Sequence, residues 1–208
     1  MEASTRKPAK RPRRTQSERR AETRRRLLDA TIESLLDSGY AATTTRRVTE
    51  LAGVSQGAST HHFPHRVDLV ASAFEHLAAQ RMDRVRERAA SLPAGREERL
   101  RALLDLLWDD FSSPLFEIAV KLWVAAADDP ELRERLVPVE RRVSAAMREI
   151  SGEVAGEVAD EPGFDRMLAV AMNTAAGLAL VRGFDPSGRG GRGNPWPYHR
   201  EALERMVG

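Results

Sequence analysis

The stretch TTRRVTELAGVSQGASTHHF, residues 44–63, constrains the fold more than any other part of the chain. Val48, Leu51 and Ala52 recur at i, i+3 and i+4, which places them on one face of a short helix. Gly53 then ends that helix, because a glycine just past the last turn tolerates the left-handed backbone that closes it. Val54 offers an apolar plug, and Ser55 is a good N-cap for a second helix from Gln56 to about Phe63. That second helix offers a core little: Gln56, Ser59, Thr60, His61 and His62 are polar, while Gly57 and Ala58 are small. Read blandly, the pair is an αα-corner. Read for its displayed donors, acceptors and small residues, the second helix suits a DNA major groove, which is about as wide as one α-helix.

Charge is distributed to match. Residues 1–26 hold 11 Lys+Arg against 3 Asp+Glu, whereas the remainder holds 22 against 28. A basic arm beside such a corner implies a polyanionic partner, since lysine and arginine displace counterions condensed on a phosphate backbone. A solvated tail is the plainer alternative. Residues 1–14 are too charged and proline-broken to fold alone, so they are expected to form a disordered basic arm.

At 208 residues and 41% hydrophobic content, the chain can bury a core in one or two domains. The absence of cysteine excludes disulfides and thiolate metal sites and fits a reducing, cytoplasmic setting. The first 26 residues have no apolar leader segment. Leu168–Val181 is interrupted by Asn173 and Thr174 and falls short of the roughly 20 residues a membrane span needs. These features predict a soluble protein.

The apolar period is helical throughout, and the expected fold is all-α with about nine helices. Thr15 and Glu18 have capping-box spacing for a first helix buried through Leu28, Ile32, Leu35 and Leu36 and ended by Gly39. Thr44 caps the second helix, and Pro64 separates the third from a fourth that starts near Val67 and runs to about Ala90. After the break SLPAGR (91–96), Leu100, Leu103, Leu104, Leu107, Trp108 and Phe111 form one stripe. Pro114 opens the next helix and Asp129–Pro130 the one after, which is expected to reach Val158. Pro162–Gly163 opens the last large helix, whose LAVAMNTAAGLALV is small and apolar nearly all round. A helix without a polar face is buried on more than one side, so a subunit contact is the natural second surface. SGRGGRGNP (187–195) reads as a flexible loop before a short final helix.

No element of known catalytic chemistry is present: there is no G-x-S-x-G, no glycine-rich phosphate loop after a strand and no cysteine nucleophile. Asp109–Asp110 and Asp128–Asp129 point to different helix faces and read as solvated surface and cap. His61, His62 and His65 lie close in sequence, but Pro64 breaks their helical spacing and no local carboxylate joins them, so no metal site is expected.

TTTRRVTE followed by AGVSQGASTHHFPHRVDLV resembles the helix-turn-helix of TetR-type (tetracycline-repressor-like) transcriptional regulators. The likeness in motif covers roughly residues 25–75, and beyond it is one of helix number and length. It implies an N-terminal three-helix head over 15–75 and a larger helical body over 76–208 that binds a ligand and forms a homodimer. It implies that Gln56, Ala58, Thr60, His61 and His62 face bases, with Gly57 allowing close approach. Thr44 starts the second helix, where Thr45, Arg46 and, further on, Arg66 would hold phosphates of a palindromic operator. Two departures stand out: Ser59 occupies a position that is usually apolar, and Thr60 one that is usually aromatic. For the body the resemblance implies an apolar pocket drawn from Leu104, Trp108, Phe111, Leu122, Trp123, Met147 and Met172. It places Leu168, Met172, Ala175, Ala176, Leu178 and Ala179 at a dimer contact. Stripes at helical spacing are otherwise ordinary core. The function so implied is a repressor released from DNA by a small apolar ligand, with no cofactor. The alternative is a helical ligand- or partner-binding protein whose head makes protein contacts or only nonspecific DNA contacts.

Overall fold

The computed structural model describes residues 15–184, with side chains to 181, and residues 194–207. The basic arm 1–14 and most of the 187–195 loop lie outside the described residues. Within them the chain forms nine α-helices and no strand. The first is α1 (Gln16–Ala42), followed by α2 (Thr45–Ala52), α3 (Gln56–His62) and α4 (Arg66–Ala89). Then come α5 (Arg96–Phe111), α6 (Pro114–Asp128), α7 (Pro130–Ala155), α8 (Phe164–Phe184) and α9 (Trp196–Glu204).

Most boundaries follow from local side-chain chemistry. Thr15 and Glu18 close a capping box at the start of α1, with Glu18 N donating to Thr15 Oγ1 at 3.2 Å and Thr15 N to Glu18 Oε2 at 2.7 Å. Thr44 and Ser55 accept the amides of Arg47 and Ala58 at the starts of α2 and α3. Two ends differ from expectation. Gly39 breaks α1 with φ 72° rather than ending it, and one more turn follows to Ala42. The helix expected to reach Val158 stops at Ala155, because Gly156 takes a positive φ and a 3₁₀ segment, Gly156–Asp160, carries on from there.

Three apolar clusters stack along the molecule. The head cluster joins Leu27 and Leu28 of α1, Val48 and Ala52 of α2, Phe63, and Leu69 and Ala73 of α4. Leu51, expected on the same face, is 42% exposed instead, because α2 buries Val48, Thr49 and Ala52 and so turns Leu51 toward the edge. The middle cluster is shared between head and body: Leu35 of α1 and Val67, Val70 and Phe74 of α4 pack on Ile118 and Leu122 of α6 and Leu132 and Leu136 of α7. The distal cluster is built by the last turns of α4 with α5, α7, α8 and α9 around Leu103, Leu107, Ile150, Val154, Met167 and Ala171. α4 contributes residues to all three: Leu69 and Ala73 to the first, Val67, Val70 and Phe74 to the second, Met82 and Val85 to the third.

Polar ties reinforce the junction. Asp129 caps α7 through Leu132 N (2.9 Å) and accepts the Tyr40 hydroxyl from α1 on its other oxygen (2.9 Å). Burial first, then the hydrogen bond to Asp129, pushes the Tyr40 phenol up to about 12, so it stays a donor at any physiological pH. Lys121 of α6 reaches the Leu36 carbonyl near the break in α1 (2.9 Å).

The expected pocket residues do not surround one cavity. Leu104, Trp108 and Met147 sit in the distal cluster, with Phe111 and Met172 at its edge, while Leu122 belongs to the middle cluster. Trp123 is 42% exposed, its ring edge-on to Phe116 at 5.8 Å. The stripe of α6 that carries Leu122 faces the head, which is why its tryptophan turns away. Among the described residues a small, partly open cleft of about 10 Å³ lies between α5 and α7, room for about one water molecule.

α8 also differs in detail. Phe164, Met167, Leu168, Ala171 and Ala175 form its inward stripe, so Leu168 and Ala175, expected at a subunit contact, line the chain's own core. Met172, Ala176, Leu178 and Ala179 flank that stripe, and Val170, Leu180 and Val181 are the large apolar residues left facing outward. Phe164–Val181 is long and apolar enough to cross a membrane by composition, but its inward stripe is packed in the distal cluster. The final helix is bound to its own chain: Trp196 stacks on Trp108 at 5.3 Å and donates its indole N–H to Asp105 at 2.9 Å.

Candidate nucleic-acid interface

The geometry of α2 and α3 is set by Gly53, whose φ of 61° and ψ of 40° make the left-handed turn between them. Three arginines lock this corner onto α1. Arg26 donates to the Ala52 carbonyl and, at 3.3 Å, to that of Gly53, closing the C-terminal end of α2. Arg47 pairs with Asp37 at 2.6 Å and donates through Nε to Ser34 Oγ at 3.1 Å. Arg66 donates Nε to the Thr43 carbonyl at 2.7 Å and Nη2 to that of Tyr40, with its guanidinium 3.9 Å above the Tyr40 ring. Partners 26 and 27 residues away for Arg26, and 10 and 13 away for Arg47, leave no mark in local spacing, so neither role is legible in the sequence.

α3 is held by Ser59, which is fully buried and not displayed beside its polar neighbours. It stands where a core side chain belongs, and its hydroxyl finds no hydrogen-bond partner among the described residues. An orphaned buried hydroxyl costs about 1–3 kcal/mol. Ser59→Ala is therefore expected to stabilise the protein by about 1 kcal/mol, raising the melting temperature by roughly 2–4 °C without altering DNA affinity. Thermal unfolding and a binding titration check both halves.

With Ser59 inward, Gln56, Gly57, Thr60 and His61 face solvent and Ala58 and His62 are half-buried at the edge. Gln56 accepts from Thr49 at 3.2 Å, and Thr60 returns its hydroxyl proton to the Gln56 carbonyl at 3.1 Å, which turns the Thr60 methyl outward as an apolar contact. Thr44 and Arg46 are exposed and Thr45 half-exposed at the start of α2. Arg46 has only a loose ion pair with Glu50 (3.9 Å) and an 86% exposed side chain, so its charge is available. Arg66 is the exception among the expected phosphate contacts, because its donors are engaged by main-chain carbonyls.

Across α3 an open groove is completed by Gln16, Arg19, Arg20 and Thr23 of α1, opposite Ala58, His61 and His62. Arg24, next on that face, stands 5.3 Å over the Phe63 ring. Reading surface and cationic rail are thus adjacent. The same cations act on His62: burial first, then Arg20, His61 and Arg24, hold its ring below the ordinary histidine value. The unfolded chain therefore takes up this proton first as pH falls below about 6.5. Stability present at neutral pH is lost as pH falls through that range toward the folded value. His62→Gln is expected to flatten this part of the stability profile, measured as urea midpoints from pH 5 to 8.

A short helix with a free polar face, set on two supporting helices and flanked by arginines, defines a DNA-binding regulator of the helix-turn-helix class. Residues 27–73 match the family model described as bacterial regulatory proteins, tetR family. The chain is 33% identical over 174 residues to the HTH-type transcriptional regulator Rv2912c of Mycobacterium tuberculosis, covering 83% of this chain and 89% of that protein. It is 40% identical over 122 residues to the regulator CymR of Pseudomonas putida, covering 59% of this chain and 60% of that one. In fold it resembles the multidrug binding protein EbrR, solved with ethidium, with a TM-score of 0.63 at 22% identity over 89% of this chain and 98% of that one. The chain belongs to the TetR family and is a transcriptional regulator.

Proposed function

We propose that the protein acts in the cytoplasm as a homodimeric repressor that a small, largely apolar effector releases from a palindromic operator. The observation that carries this reading is the pairing of a polar, unobstructed α3 face with an α4 that continues unbroken from the head into all three apolar clusters. Residues 15–75 serve as the reading head and 76–208 as the effector and dimer body. In this reading Gln56, Thr60, His61 and His62 meet base edges, with Gly57 and Ala58 permitting close approach. Thr44, Thr45 and Arg46 meet phosphates, joined by Arg19 and Arg20 of α1. Arg66 serves instead to hold the turn in place. The outward residues of α8, Val170, Leu180 and Val181 beside Ala176 and Ala179, form the dimer face. An effector that favours a different tilt of α4 separates the paired heads, and by linkage DNA weakens the effector by the same factor.

The test is a titration of operator and random DNA across salt. Affinity should fall steeply between about 50 and 200 mM, with a fixed advantage for the operator. A head that makes protein contacts would show no such slope.

A further inference from the structure

The outer face of α3 spends much of its polarity on the protein itself. Thr60 donates its hydroxyl proton to the Gln56 carbonyl one turn back at 3.1 Å, so what it offers to solvent is its methyl group. Gln56 has its Oε1 3.2 Å from the Thr49 hydroxyl of α2. One end of that amide is thus turned toward α2, and Gln56 is not set for the two-point grip by which a glutamine selects adenine. Gly57 stands beside them, and nothing in the fold calls for a glycine there. Its φ is not positive, and a Cβ added to it would meet no atom within 4 Å. Glycine weakens a helix relative to alanine, so its place in α3 leaves room for something outside the protein.

We propose that Thr60 reads the 5-methyl group of a pyrimidine, which in the operator is the methyl of a thymine. Gly57 is small so that the helix backbone comes near enough for so short a side chain to reach it. This rests on the reading of α3 as the base-reading helix and adds the chemical feature that it selects. Among the four bases only thymine carries a methyl group in the major groove, and contact with a threonine methyl tells its edge from that of cytosine. The same surface responds to modified DNA. A 5-methylcytosine presents the same group in the same place, so it binds better there than an unmodified cytosine.

The placement of Thr60 is fixed from both sides. Ser59, the residue before it, is fully buried against the head, which leaves Thr60 exposed on the outer face. A threonine in a helix divides between two rotamers, and the bond to the Gln56 carbonyl selects one of them. The methyl is therefore presented in one orientation, with little side-chain freedom left to lose on binding. Among Gln56, Gly57, Thr60 and His61, the exposed residues of α3, Thr60 is the one that offers a carbon group in place of a donor or acceptor. The other methyl of α3, on Ala58, is half-buried at the edge that faces α1.

The experiment uses the full-length protein and a duplex carrying the motif that it retains from fragmented genomic DNA. Every thymine of one half-site, on both strands, is replaced in turn by deoxyuridine, which removes the methyl and leaves the pairing edge intact. Affinity is measured by fluorescence anisotropy at fixed salt. At one position uracil should weaken the wild type by about four- to ten-fold. Thr60→Ser, which keeps the hydroxyl and lacks the methyl, should bind the thymine and uracil duplexes alike there, whereas Thr60→Val should keep the preference. With cytosine at that position, 5-methylation should recover a similar factor in the wild type and none in Thr60→Ser. Gly57→Ala should melt no lower than the wild type and yet bind the motif more weakly; wild-type affinity in that variant would overturn the role given to Gly57. Indifference of the wild type to every uracil, or preferences that all persist undiminished in Thr60→Ser, would overturn the proposal and leave α3 a reader of polar edges. Retention of fragments with no shared motif would overturn the proposal together with the reading of the head.

Discussion

Asp110→Ala is expected to lower the folding free energy by about 3–5 kcal/mol, because it breaks a buried ion pair with Arg81. The cause is less the attraction lost than the charge left behind: Arg81 would keep a buried guanidinium without its carboxylate. The paired replacement Arg81→Met/Asp110→Leu removes both charges and fills their volume. Its expected effect lies between neutral and a gain of a few kcal/mol. Urea unfolding of the two variants measures the contrast directly, since an unchanged slope with a shifted midpoint reports stability alone. A double variant as unstable as the single one would show that the pair is needed for packing of α4 on α5.

The second large effect concerns the reading surface, where three kinds of residue should fail in three ways. His61→Ala or Thr60→Ala removes a base contact and should cost about 1–3 kcal/mol of discrimination at one base pair, with little effect on random DNA. Arg46→Ala should weaken every sequence alike and flatten the log–log salt dependence by about 0.9, the share of one phosphate. Arg66→Ala should lower the melting temperature together with affinity, because it removes donors from the Thr43 and Tyr40 carbonyls and the guanidinium from the Tyr40 ring. Binding to operator and random DNA at several salt concentrations, with thermal unfolding of each variant, separates the three. Equal losses on both DNAs for all four variants would remove the division of labour.

What could be read from sequence was whatever short-range chemistry decides. Thr15 with Glu18, Thr44, Gly53, Ser55, Pro114 and Asp129 each act within one turn, so their roles as caps, turn and helix start were visible in spacing alone. The TetR-type motif supplied the rest of the head. Long-range commitments were not visible. Arg66 looked like a free cation until the fold brought two carbonyls to it, and Arg26 gave no sign that it closes α2. Ser59 is polar among polar neighbours, and only the TetR-type motif, where its position is usually apolar, pointed to the one face of α3 that must be covered. In the body, periodicity identified the stripes but not their partners, so Leu122 fell in the junction with the head and Leu168 in the distal core. Asp110 read as solvated surface, since nothing local reveals that Arg81 lies across from it.

The most direct test of the account is selection of genomic fragments by the purified full-length protein at moderate salt, followed by sequencing of what is retained. The account predicts enrichment of a single palindromic motif whose half-sites are read by two copies of α3, and loss of that enrichment in His61→Ala. Retention of fragments with no shared motif, or a motif unchanged by His61→Ala, would contradict it.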